Sequence, residues 1–306
     1  GLAFGTSFHI TMYMFDNQVT EVAIDSLIHD FNSSLSTYIP NSDISKINRG
    51  DTTVEVDDNF REVFEKSSVI YKETQGAFDP TIGTLVNAWG FGPGKRLNKM
   101  EPFTVDSLLA YVGFDKLELK DGKLIKMHPE TYLDFNAIAK GFAVDVIGRY
   151  LESKGVLNYL VEIGGEIRAR GLSPKGGPWR IGIEEPNFDG SRSFQTIINL
   201  KNESIATSGS YRKFKIDSIS GKKYAHTIDT KTGYPSKSNL LSASVIAKSD
   251  CADVDAYATA FMAMGFEETK IFLSAHHDLK AILIYTGKEG ELITYTTENL
   301  KPVEEN

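Results

Sequence analysis

DFNAIAKGFAVDVIGRYL, residues 134 to 151, brings a carboxylate out of an extended segment and passes straight into a helix. Ile138, Phe142, Val146 and Tyr150 recur every four residues, with Ala139, Ala143, Ile147 and Leu151 beside them. Such spacing lays one apolar stripe along a helix. Lys140 falls near the helix start, where backbone N–H groups already carry partial positive charge and oppose a cation. A lysine kept there needs an anion nearby, either Asp134 or a phosphate. On this run alone, a surface lysine over an amphipathic helix is the simpler reading.

The totals narrow the class. The chain has 306 residues, 41% of them hydrophobic and 24% charged, an ordinary globular balance that argues against disorder. Net charge is −8 and no Lys/Arg cluster is long enough to track a phosphodiester backbone, so no nucleic-acid partner is expected. The single cysteine, Cys251, excludes an internal disulfide and a thiolate metal cluster. No apolar run is long enough to span a bilayer. The chain opens without a charged start and apolar core, so an export signal is expected to be absent or trimmed.

Outward from the central run, residues 8–15 alternate as a strand, and Ile24, Leu27, Ile28, Phe31 and Leu35 mark a helix face. LSTYIPNSDISKIN (35–48) reads as a turn cluster, with Tyr38 either a packing residue or a platform for a ring. Phe60 to Tyr71 outline another helix, capped at Gly76. GAFDPTIGTLVNAWGFGPG (76–94) reads as a built loop, in which Asp79, ahead of Pro80, is extended and projects its carboxylate outward. Thr104–Val112 is a short helix, and a hairpin turns at Asp121-Gly122. VLNYLVEIGGEIRARG offers a strand ending at Gly164-Gly165, either a close-approach point or a bulge. WRIGIEEP and SFQTIINL are strands, and ESIATSGSYRKF gathers Thr207, Ser208 and Ser210 around Gly209 as a phosphate cradle or a corner. YAHTIDTKTGYP (224–235) is a strand closing on a Lys231-Thr232-Gly233 turn. It holds His226, which Asp229 could orient only if the strand bends. A helix then begins near Ser249 or Asp250. Asp255 and Thr259, four apart, project hard oxygen atoms from one helical face, suited to magnesium or calcium; a threonine bonded to its own helix is the plain alternative. One more helix (Ile271, Phe272, Leu279) and a hairpin of KAILIYTG with ELITYTT finish the chain. The absence of repeats and linkers predicts one unit over 1–306, or two subdomains with the site between them.

In this order, LSTYIPNSDISKIN, GAFDPTIGTLVNAWGFG, DFNAIAKGFAVD, VEIGGEI, IATSGSY, HTIDTKTGYP and DAYAT resemble the ApbE family of FAD:protein FMN transferases, from about Gly5 to Gly265. The resemblance implies an α+β fold of the T-fold type, with mixed and antiparallel sheets and packed helices. It implies FAD and Mg²⁺, transfer of FMN to a threonine or serine of an acceptor protein, and release of AMP. It also implies export as a membrane-anchored lipoprotein. By the family pattern the Ala137 carbonyl, Asp255 and Thr259 hold the metal, with Ala258 lining that site. Phe4, Ala77, Phe78, Asp79, Asp134, Lys140 and the backbone near Leu241 contact FAD, and Tyr38 stacks on adenine. His226 takes the acceptor proton. Four departures touch the ring packing: Phe4 for methionine, Phe135-Asn136 for Leu-Gly, Thr230 for proline, and Glu166 for aspartate. Two rivals stay open: a hydrolase splitting FAD to FMN and AMP, and a non-catalytic flavin-binding or interaction protein.

Overall fold

The computed structural model describes residues 1–13, 18–185, 193–210, 214–216 and 223–300. Met14 to Phe15, the end of the first predicted strand, lie outside them. In chain order the elements are β1 (Leu2–Ala3), β2 (Thr6–Tyr13), α1 (Glu21–Leu35), α2 (Asp43–Asn48), α3 (Asp58–Glu73), α4 (Gly83–Trp89) and α5 (Pro102–Leu109). Next come β3 (Leu117–Lys120), β4 (Lys123–Lys126), α6 (Ala139–Ser153), β5 (Asn158–Ile163), β6 (Glu166–Arg170), β7 (Trp179–Glu184) and β8 (Phe194–Leu200). The rest are β9 (Glu203–Gly209), β10 (Phe214–Ile216), β11 (Lys223–Ala225), β12 (Leu240–Ala247), α7 (Cys251–Met264), α8 (Phe266–Ala275), β13 (Lys280–Thr286) and β14 (Leu292–Thr296).

Eight strands form one sheet, in the order β1-β2-β5-β6-β9-β12-β13-β14, and every neighbouring pair is antiparallel. This is the expected α+β class. Strand alternation sends Tyr159, Val161 and Ile163 of β5 to one face, where they join Phe142 and Ile147 of α6 and Val254 and Phe261 of α7 in the main core. On the other face Ile167 and Ala169 of β6 pack against Trp179, Ile183 and Ile198 of the β7–β8 hairpin. A satellite cluster of Leu85, Val105, Val112 and Ile228 gathers α4 and α5 with the turn after β11.

Two predicted loops contain helices. In 76–94, Ile82, Leu85, Val86 and Trp89 have helical spacing, and Gly90, at φ 80°, ends the helix in the left-handed region. The flanking glycines and prolines obscured that spacing. In 35–48 the turn stops at Ser42, whose hydroxyl accepts from Ser45 N and caps α2. The α3 helix ends at Glu73, before Gly76, because Gln75 (φ 50°) already leaves the helical region. Gly164 and Gly165, at φ 62° and 108°, make the two-residue turn joining β5 to β6, neither a bulge nor a strand end alone. IATSG is strand β9 and not a corner. Of Tyr224–Pro235 only the start is strand; beyond it Ile228 bridges to Pro235. Leu279 lies past the end of α8.

Candidate active site

The strand-to-helix run is tied down residue by residue. Asn48 at the end of α2 bonds both sides of the Leu133 peptide, donating to its carbonyl and accepting from its N–H, each at 2.8 Å. Asp134 N donates to the Pro80 carbonyl at 2.8 Å, which seats this segment against the 77–82 loop. The Asp134 carboxylate accepts from Asn136 N at 2.8 Å. Burial, partly offset by Asn136, pushes its carboxyl up to about 6. The Tyr38 hydroxyl is raised by partial burial and by the charge of Asp134, and Tyr38 is 62% exposed. At that exposure Tyr38 is not a core packing residue. Tyr132, raised by burial and by Asp134, completes the group.

Asp79 corrects its expectation. It is buried, not projecting outward, because the carboxylate folds back to accept from Thr81 N (2.8 Å) and Thr81 Oγ1 (2.6 Å). Being extended before a proline fixes the backbone but not χ1. Burial outweighs these bonds and raises its carboxyl to about 6. Ala77 and Phe78 are buried beside it. The segment holding His226 is fastened to this loop: Thr230 Oγ1 donates to the Gly76 carbonyl at 2.7 Å and Trp89 Nε1 to the Gly233 carbonyl at 2.9 Å. Thr230 thus makes a bond that proline at its place could not. His226 is half-buried just after β11. Asp229 accepts from Lys231 N and Thr232 N and serves the turn.

The second half of the site lies where α6 meets α7. In a regular helix Gly141 N–H would bond the Ala137 carbonyl. It donates instead to Asp255 Oδ2 at 3.0 Å, and Ala137 O is left without that bond. Gly141 permits the approach: a Cβ there would lie 2.4 Å from the Cys251 carbonyl oxygen. Asp255 is buried, and its carboxyl is raised by burial against the pull of Lys140. Thr259, one turn on, has its Oγ1 3.2 Å from Ser208 Oγ of β9, not on its own helix. Ala258 is fully buried in the main core and presents no donor.

The anion that Lys140 needs is Glu166, and not Asp134. Burial opposes the charge on Lys140, but Asp255 and Glu166 outweigh it and keep the ammonium protonated. Glu166 is held above the usual carboxylate range by burial and by Asp255, against Lys140. Its second oxygen, Oε2, is buried with no hydrogen-bond partner among the described residues.

These donors fit magnesium. Among the described residues no three His, Cys, Asp or Glu side chains converge to hold a metal. The set here is one carboxylate, one hydroxyl and one released carbonyl, all oxygen, beside an orphaned carboxylate oxygen. Magnesium keeps several waters and takes phosphate oxygens, so one protein carboxylate suffices. Phe4, at φ 54°, forms the β1–β2 turn with Gly5, and its ring meets Phe31 edge-on at 5.0 Å. Leu241 sits at the irregularity in β12 between Leu240 and Ser242, and its carbonyl accepts from Ser210 N. No described contact joins either residue to the Asp255 group.

The ApbE family profile matches residues 4–283. The chain belongs to the ApbE family. It is 36% identical over 319 residues to the FAD:protein FMN transferase of Haemophilus influenzae, covering 100% of this chain and 90% of that protein. It is likewise 36% identical to the Vibrio cholerae enzyme of the same name, covering 99% and 91%. Among solved structures, the flavin transferase ApbE from Vibrio cholerae superimposes with a TM-score of 0.85 at 34% identity, covering 97% of this chain and 96% of that one. The ApbE protein from Thermotoga maritima gives 0.82 at 26% identity, with the same coverage.

Reading the sequence missed Glu166 as the partner of Lys140, and Asp145 and Arg168 as part of the scaffold. The signal was present in VEIGGEIRAR: Glu166, Arg168 and Arg170 alternate along one face of a strand whose other face is apolar. Asn48 carried no signal, since a polar residue at a helix end is ordinary.

Proposed function

We propose that this chain is an FAD:protein FMN transferase that moves FMN from FAD to a threonine or serine hydroxyl of an acceptor protein and releases AMP. The observation that carries the metal half of the proposal is the Gly141 N–H turned onto Asp255, which leaves the Ala137 carbonyl available next to that carboxylate. Ala137 O, Asp255 and Thr259 would hold magnesium. When bound, that ion supplies positive charge to offset what builds on the pyrophosphate as it breaks.

The chain's own groups do the rest. Tyr38 and Asp134 would contact the flavin dinucleotide, the loop around Asp79 would support it through Ala77 and Phe78, and Lys140 adds a cation fixed in place by Glu166. The acceptor hydroxyl attacks the phosphorus on the FMN side, a P–O bond forms, and the bond bridging to the AMP phosphate breaks. AMP leaves with the electron pair. His226 takes the hydroxyl proton, the general-base role an imidazole nitrogen can fill. Phosphoryl transfer of this kind relies on positioning and charge neutralisation more than on covalent help.

Incubation with FAD, Mg²⁺ and threonine-bearing peptides, followed by weighing of the peptides, tests the reading. The expected result is a peptide heavier by one FMN less a water, with AMP in equal amount, abolished by Asp255→Asn. FMN and AMP released with no labelled peptide makes the chain a hydrolase, and bound FAD with no AMP makes it a binding protein. Export on a lipid anchor belongs to the same proposal, tested by fractionating cells that express the gene.

A further inference from the structure

Helices α6 and α7 exchange carboxylates. Asp255 of α7 accepts from Gly141 N near the start of α6. In return Asp145 of α6 accepts from Cys251 N at 2.9 Å and Ala252 N at 2.8 Å, the first two N–H groups of α7. Asp250 occupies the position that would ordinarily cap α7, but its side chain makes no cap bond. It is drawn away by Arg149 and Arg168, each at 2.7 Å. The capping oxygen atoms therefore come from another helix. Asp145 is fully buried, and Arg168 Nη1 holds its Oδ1 at 2.8 Å. The guanidinium is itself fixed by Tyr159 Oη on Nε (2.9 Å) and Glu152 on Nη2 (3.2 Å).

We propose that Asp145, pinned by Arg168, is a positioning residue that sets Asp255 and Thr259 against the Ala137 carbonyl. The inference rests on the metal reading above. From the capped N–H of Ala252 to Asp255 is three residues, a lever of about 4.5 Å at about 1.5 Å per residue. A displacement at the cap therefore reaches the carboxylate undiminished. Asp145 touches none of the candidate ligands. It acts through α7 alone.

The test uses the full chain, comparing wild type, Asp145→Asn and Asp255→Asn for Mn²⁺ binding by electron paramagnetic resonance, FAD binding without cation, and thermal unfolding. Asp145→Asn keeps the size and loses the charge. It is expected to raise the Mn²⁺ dissociation constant about tenfold or more, the scale at which a metal site responds to losing its support, while FAD affinity without cation stays within about twofold. A second measurement needs no variant. Amide exchange in wild type at Cys251 and Ala252 is expected to slow on adding Mg²⁺, because a cap that orders the site must be ordered by it in return. A folded Asp145→Asn that binds Mn²⁺ like wild type overturns the inference and leaves Asp145 a stabilising residue only. If that variant does not fold, wild-type exchange at Cys251 and Ala252 that ignores Mg²⁺ overturns it alone. Mn²⁺ bound equally by Asp255→Asn overturns the metal reading itself, a distinguishable failure.

Discussion

Replacing Gly141 with alanine sets two effects against each other. Helix propensity favours alanine over glycine by up to about 1 kcal/mol in a helix interior. The contact with α7 opposes it. The new Cβ would lie 2.4 Å from the Cys251 oxygen and 2.8 Å from the Ala252 Cα, where ordinary contact begins at 3.4 Å. The helices must part by roughly 1 Å to restore contact. Three bonds cross this seam, at 2.9, 2.8 and 3.0 Å, and all end on buried carboxylates. Stretched by that amount they leave hydrogen-bond range. Bonds to charged groups are worth about 1.5–3 kcal/mol each. Side-chain and backbone relaxation recovers part, and a net loss of about 3 kcal/mol is expected. Urea unfolding at unchanged m reads the loss, and a Mn²⁺ titration of the same sample should show weakened binding. A variant as stable as wild type, or more stable by the propensity increment, would refute the close-packed seam.

Further outcomes follow from individual contacts. Asp134 has a folded pKa raised to about 6, so the native state binds its proton more tightly than the unfolded chain does. The resulting stabilisation is full below the unfolded value near 4 and is lost as pH rises through 6. Relative to wild type, Asp134→Asn should therefore gain up to roughly 3 kcal/mol between pH 4 and pH 7, and parallel urea-midpoint curves for the two proteins would contradict this. The Thr81 hydroxyl donates to Asp79 and accepts from Gly113 N–H at 2.7 Å, all buried. Thr81→Val strands that N–H and should cost about 2–4 kcal/mol in denaturant midpoint, with weaker FAD binding. Thr230→Val removes the bond to Gly76 and should cost about 1 kcal/mol. It should slow FMN transfer severalfold in a single-turnover assay while Mn²⁺ affinity holds; unaltered transfer would show that the His226 segment does not depend on that tie.

Periodicity and turn chemistry made most elements legible. The Asp121-Gly122 hairpin, the strands β7 and β8, the β13–β14 pair and the stripe of α6 are local patterns, and tertiary packing did not override them. The short helices α2 and α4 were hidden because Pro40, Pro80 and several glycines crowd their ends, and few residues remain to show a period. Asp79 was misread because a side-chain torsion depends on its neighbours, here Thr81, and not on the backbone ahead of a proline. The order of the motifs indicated which residues would meet, but the means lay in contacts far apart in sequence. Gly141 with Asp255 and Asp145 with Cys251 span more than a hundred residues each.

Beneath α6 lies a row of opposite charges: Lys140 over Glu166, Asp145 over Arg168, and Glu152 beside Arg168 and Arg170. A helix held over a greasy strand could slide by a turn with little penalty. Here a slip that carried Asp145 toward Glu166 would set two acids face to face in a dry interior. The row therefore discriminates against misaligned packings during folding, because a displaced member would leave its partner's charge buried and uncompensated.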